Sequence, residues 1–116
     1  MSESDEWETW DSEGWLDIGS DHWVKFTSWN PDRAINPQYD HLPDVPKWGL
    51  IMRHRKPNGE KCMGGVTFDG EVQRQLVPEA ARWQVISLEP ETLEIAPSLL
   101  CHCGDHGFIR NGRWVV

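Results

Sequence analysis

No Lys or Arg precedes Lys25, and that gap organises the charge of the whole chain. Glu3, Asp5, Glu6, Glu8, Asp11, Glu13, Asp17 and Asp21 supply eight of the 19 acids, which leaves 11 acids against 11 bases in the remainder. A near-neutral body with an acidic N-terminal segment argues against a protein that neutralises duplex-DNA phosphates, so nucleic acid is not the expected partner. No window approaches the roughly 18 uninterrupted apolar residues that span a bilayer. The N-terminus is acidic where a signal peptide is basic and then apolar, so the expectation is a cytoplasmic protein with no membrane contact. Cysteine is scarce, with three in 116 residues, an odd number that cannot all pair internally. In a reducing compartment such cysteines are metal ligands or buried side chains, not a disulfide framework. Helical periodicity is nearly absent.

Alternation and turn signals are what the sequence does contain. His22 to Trp29 (HWVKFTSW) sets Val24 and Phe26 against Lys25 and Thr27, as a half-buried strand requires. Four prolines between Asn30 and Pro46 exclude a helix or a central strand there and predict a long packed loop. Trp48 to Arg55 and Lys61 to Phe68 flank a segment containing Asn58-Gly59, suited to a tight turn with positive φ. Pro78 to Arg82 has room for one helical turn, and Trp83 to Leu88 reads as a further strand with both faces partly apolar. Gly107 to Arg110 and Arg113 to Val116 flank Asn111-Gly112, the second hairpin signal. The expected fold is mostly β, with a small α+β fold as the alternative: antiparallel hairpins and long loops around a Cys/His metal-binding knuckle. Residues 1–21 read as an acidic, Trp-containing tail and residues 22–116 as a single small domain, since one core is all that 116 residues can bury.

Cys101, His102, Cys103 and His106 fall within six positions on a turn containing Gly104 and Gly107. Glycines let the backbone fold around an ion, and thiolate with neutral imidazole is the soft N/S set that zinc takes in tetrahedral structural sites. Cys62, beside Gly64 and Gly65 and near its own hairpin, is the natural fourth donor. The expected metal ligands are therefore Cys62, Cys101, Cys103 and His106, with Zn2+ as a structural ion. His102 is the alternative fourth ligand and His41 a more distant one. The competing reading has Cys62 and Cys101 as small buried hydrophobes and His106 as a hydrogen-bonded histidine. Asp105 is the local carboxylate for a metal-dependent hydrolase, although capping of the turn suits it better.

Eight tryptophans in 116 residues require a reason. Trp48, Trp83 and Trp114 lie in strand-like segments and are assigned to the core. Trp7, Trp10 and Trp15, spaced among acids, form a segment of the kind that docks on a basic apolar partner or folds back on its own domain.

The end of the chain carries a family resemblance. Trp83, Thr92-Leu93, Pro97-Ser98-Leu99, Cys101 with Cys103, and His106 to Trp114 reproduce a PSLLCxCGDHGFIRxGxW-type ending. It resembles that of a family of small uncharacterised actinobacteriophage proteins, over about the last third of the chain. Cys62 with Gly64 and Gly65 looks like that family's upstream turn, with one cysteine where a pair is often found. The resemblance implies a phage-encoded protein working in the cytoplasm of a bacterial host and brings no established activity. Some relatives carry an oxygenase-type name, and the spacing here offers no two-His, one-carboxylate iron triad and no copper cluster. The functional expectation is a zinc-stabilised protein-interaction module that engages a host or phage protein through its acidic tail. The alternatives are a small metal-dependent hydrolase or nuclease using Cys103, Asp105 and His106, and single-stranded nucleic-acid binding through the 53–61 hairpin.

Overall fold

The computed structural model describes residues 14–56 and 58–116. The acidic segment with Trp7 and Trp10 lies outside the described residues. Among the described residues nine strands dominate: β1 (Leu16–Gly19), β2 (His22–Trp29), β3 (Val45–Arg55), β4 (Lys61–Phe68), β5 (Arg82–Ser87), β6 (Glu94–Ala96), β7 (Leu99–Leu100), β8 (His106–Arg110) and β9 (Arg113–Val115). One helical turn, α1 (Gln73–Leu76), and a 3-10 turn at Glu79–Ala81 join β4 to β5. The mostly β expectation is met. Among the described residues no helix is long and apolar enough to cross a membrane.

Strands β1 to β6 form one sheet in sequence order, antiparallel except for a short parallel pairing of β4 with β5. Strands β7 to β9 form a second, three-stranded sheet. The large sheet curls, so that β6 reaches β8 and β1 reaches β9. Between the sheets lies one core built from the inward positions of each strand: Ile18, Val24, Leu50, Phe68, Ile95 and Ile109 are almost wholly buried. Side chains alternate between the two faces with period two, so the odd-numbered residues of β2 look outward while His22, Val24 and Phe26 face the core side.

The sequence expectations for β2 and β4 coincide with the observed strands. β3 begins three residues earlier than expected, because a bulge between Thr27 and Trp29 lets Trp29 pair with Val45. β1 falls inside the segment assigned to the tail: Leu16 pairs with Val24, and Ile18 is 1% exposed. Two apolar residues in a four-residue strand suffice to dock it despite its acidic neighbours. Of the three tryptophans assigned to the core, Trp114 is buried and Trp83 packs at its edge, whereas Trp48 lies outside it and stacks on Trp29 at 5.4 Å. Ile86 of β5 is exposed, so that strand buries only one face.

The long loop from Asn30 to Asp44 is packed, as its prolines suggested. Leu42 is buried, and the Arg33 guanidinium donates to the carbonyls of Tyr39 and Leu42 and to the Asp44 carboxylate.

Candidate metal centre

Two loops of one design build the site. In the first, Lys56 N–H donates to Glu60 O and Gly59 N–H to Lys56 O, with Gly59 at φ +86°. In the second, Cys101 N–H donates to Asp105 O and Gly104 N–H to Cys101 O, with Gly104 at φ +96°. Each is a three-residue hairpin loop closed by a residue in the left-handed region, where glycine carries no Cβ penalty. The first loop sets the register of β3 on β4 so that His54 lies directly opposite Cys62. The second presents Cys101 and Cys103 from the smaller sheet.

The Sγ atoms of Cys62, Cys101 and Cys103 and a ring nitrogen of His54 all lie within 4.8 Å of one another, an arrangement that could hold a metal ion. Cys62 Sγ is 3.2 Å from Cys101 Sγ, and Cys103 Sγ is 3.7 Å from His54 Nε2. His54 and Cys62 are buried, while Cys101 and Cys103 are partly exposed. All three cysteines are free thiols.

Three of the four expected ligands are thus brought together, and the fourth position belongs to His54, not His106. The reason is strand alternation. Gly107 and Ile109 of β8 point inward, so His106 points out with Phe108, and its Nε2 bonds Ser98 Oγ at 2.8 Å. His102 lies across two of the sulfurs, with Nε2 3.6 Å from Cys62 and Nδ1 3.7 Å from Cys101. A single ion takes one nitrogen of a ring, and this one divides its nitrogens between two sulfurs. His41 is exposed in the 30–44 loop, outside the cluster.

The electrostatics differ from one donor to the next. Burial pushes the Cys62 thiol up to about 12, helped by hydrogen bonds with Cys101 and Cys103. Cys103 is lowered, first by the backbone N–H of Asp105 directed at its sulfur and then by the neighbouring thiols. Burial lowers His54 against the pull of Asp105, which keeps its ring neutral and a lone pair available. Three sulfurs this close cannot all be charged without a cation between them.

Behind the ligands stands a second layer. His54 Nδ1 is 3.3 Å from Asp105 Oδ2, and a carboxylate only accepts, so Nδ1 carries the proton and Nε2 offers its lone pair to the cluster. His22, paired with His54 across β2 and β3, places Nε2 2.5 Å from the same oxygen and Nδ1 2.7 Å from Ser20 O. Its ring is sandwiched between His54, at 4.9 Å, and Trp114, at 4.3 Å. The fold therefore does assemble two histidines and a carboxylate, which the sequence spacing had not suggested. These three groups lie close enough to hold an ion of their own, and as they stand both rings face one Asp105 oxygen, so the trio also supports His54 through hydrogen bonds. Asp105 acts through these two rings and not as a turn cap.

A cleft of about 670 Å³ borders this layer, lined by His22, His54, Cys103, Asp105, Lys56 and Trp114 among others. It reaches the exposed side of Cys103. Comparison with family models, with curated proteins and with solved structures gave no match to this chain.

Proposed function

We propose that this chain is a zinc-stapled β domain that works as a protein-interaction module in the cytoplasm of a phage's bacterial host. One observation carries the reading: three thiols and a neutral imidazole from two hairpins converge on one point. A tetrahedral zinc with bonds of about 2.3 Å to sulfur and 2.0–2.1 Å to nitrogen has edges of about 3.8 Å (S to S) and 3.6 Å (S to N). The Cys103 to His54 separation of 3.7 Å fits such an edge, and the Cys62 to Cys101 separation of 3.2 Å needs only a small spreading on binding. Four protein donors fill the tetrahedral shell and leave no position for substrate, the pattern of structural rather than catalytic zinc. The ion would tie the three-stranded sheet to β3 and β4. Interaction is then left to the surface and to the acidic tryptophan segment, and free thiols suit a reducing compartment.

Elemental analysis of protein purified without chelator or affinity metal tests the staple. About one zinc per chain is expected, lost in Cys103→Ser. A folded, reduced protein without metal would remove the reading. Partner capture is tested by deleting residues 1–13 only, because a deletion to residue 21 would also remove β1. Capture that persists unchanged without residues 1–13 rules out the tail as the engaging element.

The cleft beside Cys103 and Asp105 favours a second reading, a small metal-dependent hydrolase. It requires one donor to leave the ion and open a coordination position. Metal-dependent cleavage of a simple phosphodiester or ester, abolished by Cys103→Ser, would put it ahead of the first.

A further inference from the structure

One inward position of β4 carries no side chain. Cys62, Val66 and Phe68 of that strand are buried, and alternation puts Gly64 on the same side between them. A Cβ on Gly64 would meet no atom within 4 Å among the described residues beyond its chain neighbours, and its φ lies outside the left-handed region, so neither crowding nor backbone conformation requires glycine there. Beside it lies a cavity of about 220 Å³, bounded by Met52, Val66, Trp83 and Leu99 and by two groups that carry chemistry, Cys101 and His102.

His102 is not among the four metal donors, yet it is placed with some care. Its Nε2 lies 3.6 Å from Cys62 Sγ and its Nδ1 3.7 Å from Cys101 Sγ, so one ring spans two sulfurs that are 3.2 Å apart. That separation falls between the edge of about 3.8 Å that a tetrahedral zinc imposes and the bond of about 2.0 Å in a disulfide. The two sulfurs are not equivalent. Cys62 is buried and holds its proton, whereas Cys101 is partly exposed and borders the cavity.

We propose that Cys62 and Cys101 form a hydroperoxide-sensitive dithiol, in which the cavity beside Gly64 admits the oxidant to Cys101 and His102 carries the proton. The Cys101 thiolate attacks one peroxide oxygen, the O–O bond breaks, and Cys101 becomes a sulfenic acid while the other oxygen leaves as hydroxide. Cys62 then gives its proton to His102 Nε2 and attacks the Cys101 sulfur. The S–O bond breaks, and the departing hydroxide takes the Nδ1 proton and leaves as water. Two electrons pass from the pair of sulfurs to the peroxide, and the imidazole ends in its other tautomer. Metal release rests on the proposed zinc site: a bond between Cys62 and Cys101 leaves only His54 and Cys103 as donors, so the disulfide and a filled zinc shell exclude each other. In a reducing compartment such a bond is transient, the behaviour of a sensor and not of a framework disulfide.

A small excess of hydrogen peroxide, added to zinc-loaded and to chelator-treated protein, tests this, with thiol pairing mapped by mass spectrometry of alkylated digests. A Cys62–Cys101 bond within one chain is expected in both samples, with about one zinc released per bond in the first and rebound after reduction with dithiothreitol. Gly64→Val fills the cavity at a strand position that accepts a β-branched side chain, and should slow closure about fivefold or more. His102→Ala should leave zinc affinity and the first oxidation unchanged and slow the second step about tenfold or more, so that a sulfenic acid at Cys101 accumulates and is trapped by dimedone. A merely structural role for His102 would build up no such intermediate. A Cys101–Cys103 bond as the main product, sulfinic acid without closure, or disulfides between chains would overturn the proposal, as would wild-type closure rates in both variants. Metal-free protein that closes the bond keeps this inference without the zinc staple, and zinc-loaded protein that never closes it keeps the staple alone.

Discussion

Replacing His54 by Ala while replacing His106 by Ala in a second variant separates the observed fourth donor from the one expected by proximity in sequence. Structural zinc contributes about 10–16 kcal/mol to small domains, so one ligand of four carries about 3 kcal/mol, or about 10²-fold in metal affinity. His54 is 1% exposed and also leaves Asp105 short of one donor, which adds about 1–3 kcal/mol of lost stability in the metal-free protein. His106 is exposed and bonded only to a serine hydroxyl, so its removal should stay within about 0.5 kcal/mol and leave metal content unchanged. Competition for zinc against a chromophoric chelator at fixed pH measures both variants. Because His54→Ala could fail through folding alone, His54→Cys serves as the rescue, since a four-thiolate set is also a zinc site. Metal retained by His54→Ala and lost by His106→Ala would refute the assignment.

The same competition applied to Asp105→Asn should show about 10- to 100-fold weaker binding, the usual consequence of removing the group that orients a ligating histidine, and wild-type affinity would remove Asp105 from that role. Zinc affinity should rise with pH through neutrality, because an ion must displace the proton that burial holds on Cys62 up to about 12; calorimetry in buffers of different ionisation enthalpy counts the protons released, and none released would contradict a thiol-bound apo state. Asp69 is held down to about 2, first by the Arg74 guanidinium and also by Arg82. A depressed carboxylate contributes stability that is complete above its ordinary value near 4 and is lost as the pH falls towards 2, so Asp69→Asn should flatten the acid limb of the unfolding profile and an unchanged limb would count against the pairing. A Cβ on Gly49 would sit 1.9 Å from the carbonyl oxygen of Val66. Gly49→Ala should therefore force β3 from β4 and cost about 3 kcal/mol or more, measured as a lower urea midpoint.

Alternation and turn chemistry made most of the large sheet legible. β2 and β4 carry apolar residues at every second position between polar ones, which marks both as half-buried strands and fixes which of their faces meets the core. β1 was hidden because four residues among acids offer too little pattern. Leu16 and Ile18 find partners only once β2 and β9 are in place. The misplacement of Trp48 has a similar origin: an aromatic ring in a strand is apolar on either face, and the bulge near Trp29 decides which face it joins.

The missing ligand turns on a single residue of loop length. Asn58-Gly59 read as a two-residue turn pairs Lys56 with Lys61 and sets Arg55 opposite Cys62. The observed loop runs from Lys56 to Glu60, one residue longer, and the pairing moves by one so that His54 faces Cys62 instead. A shift of one residue exchanges the two faces of a strand. In the shorter register Arg55 would point at the sulfurs and His54 at solvent, so no inspection of spacing alone could have selected His54. Once the register is set, the rest of the row follows without further information: His22 pairs with His54, His54 with Cys62, and the second loop, closed in the same way, lowers Cys101, Cys103 and Asp105 onto that row. Lengthening or shortening the Lys56–Glu60 loop by one residue would therefore disable the metal centre while leaving every proposed ligand in the chain.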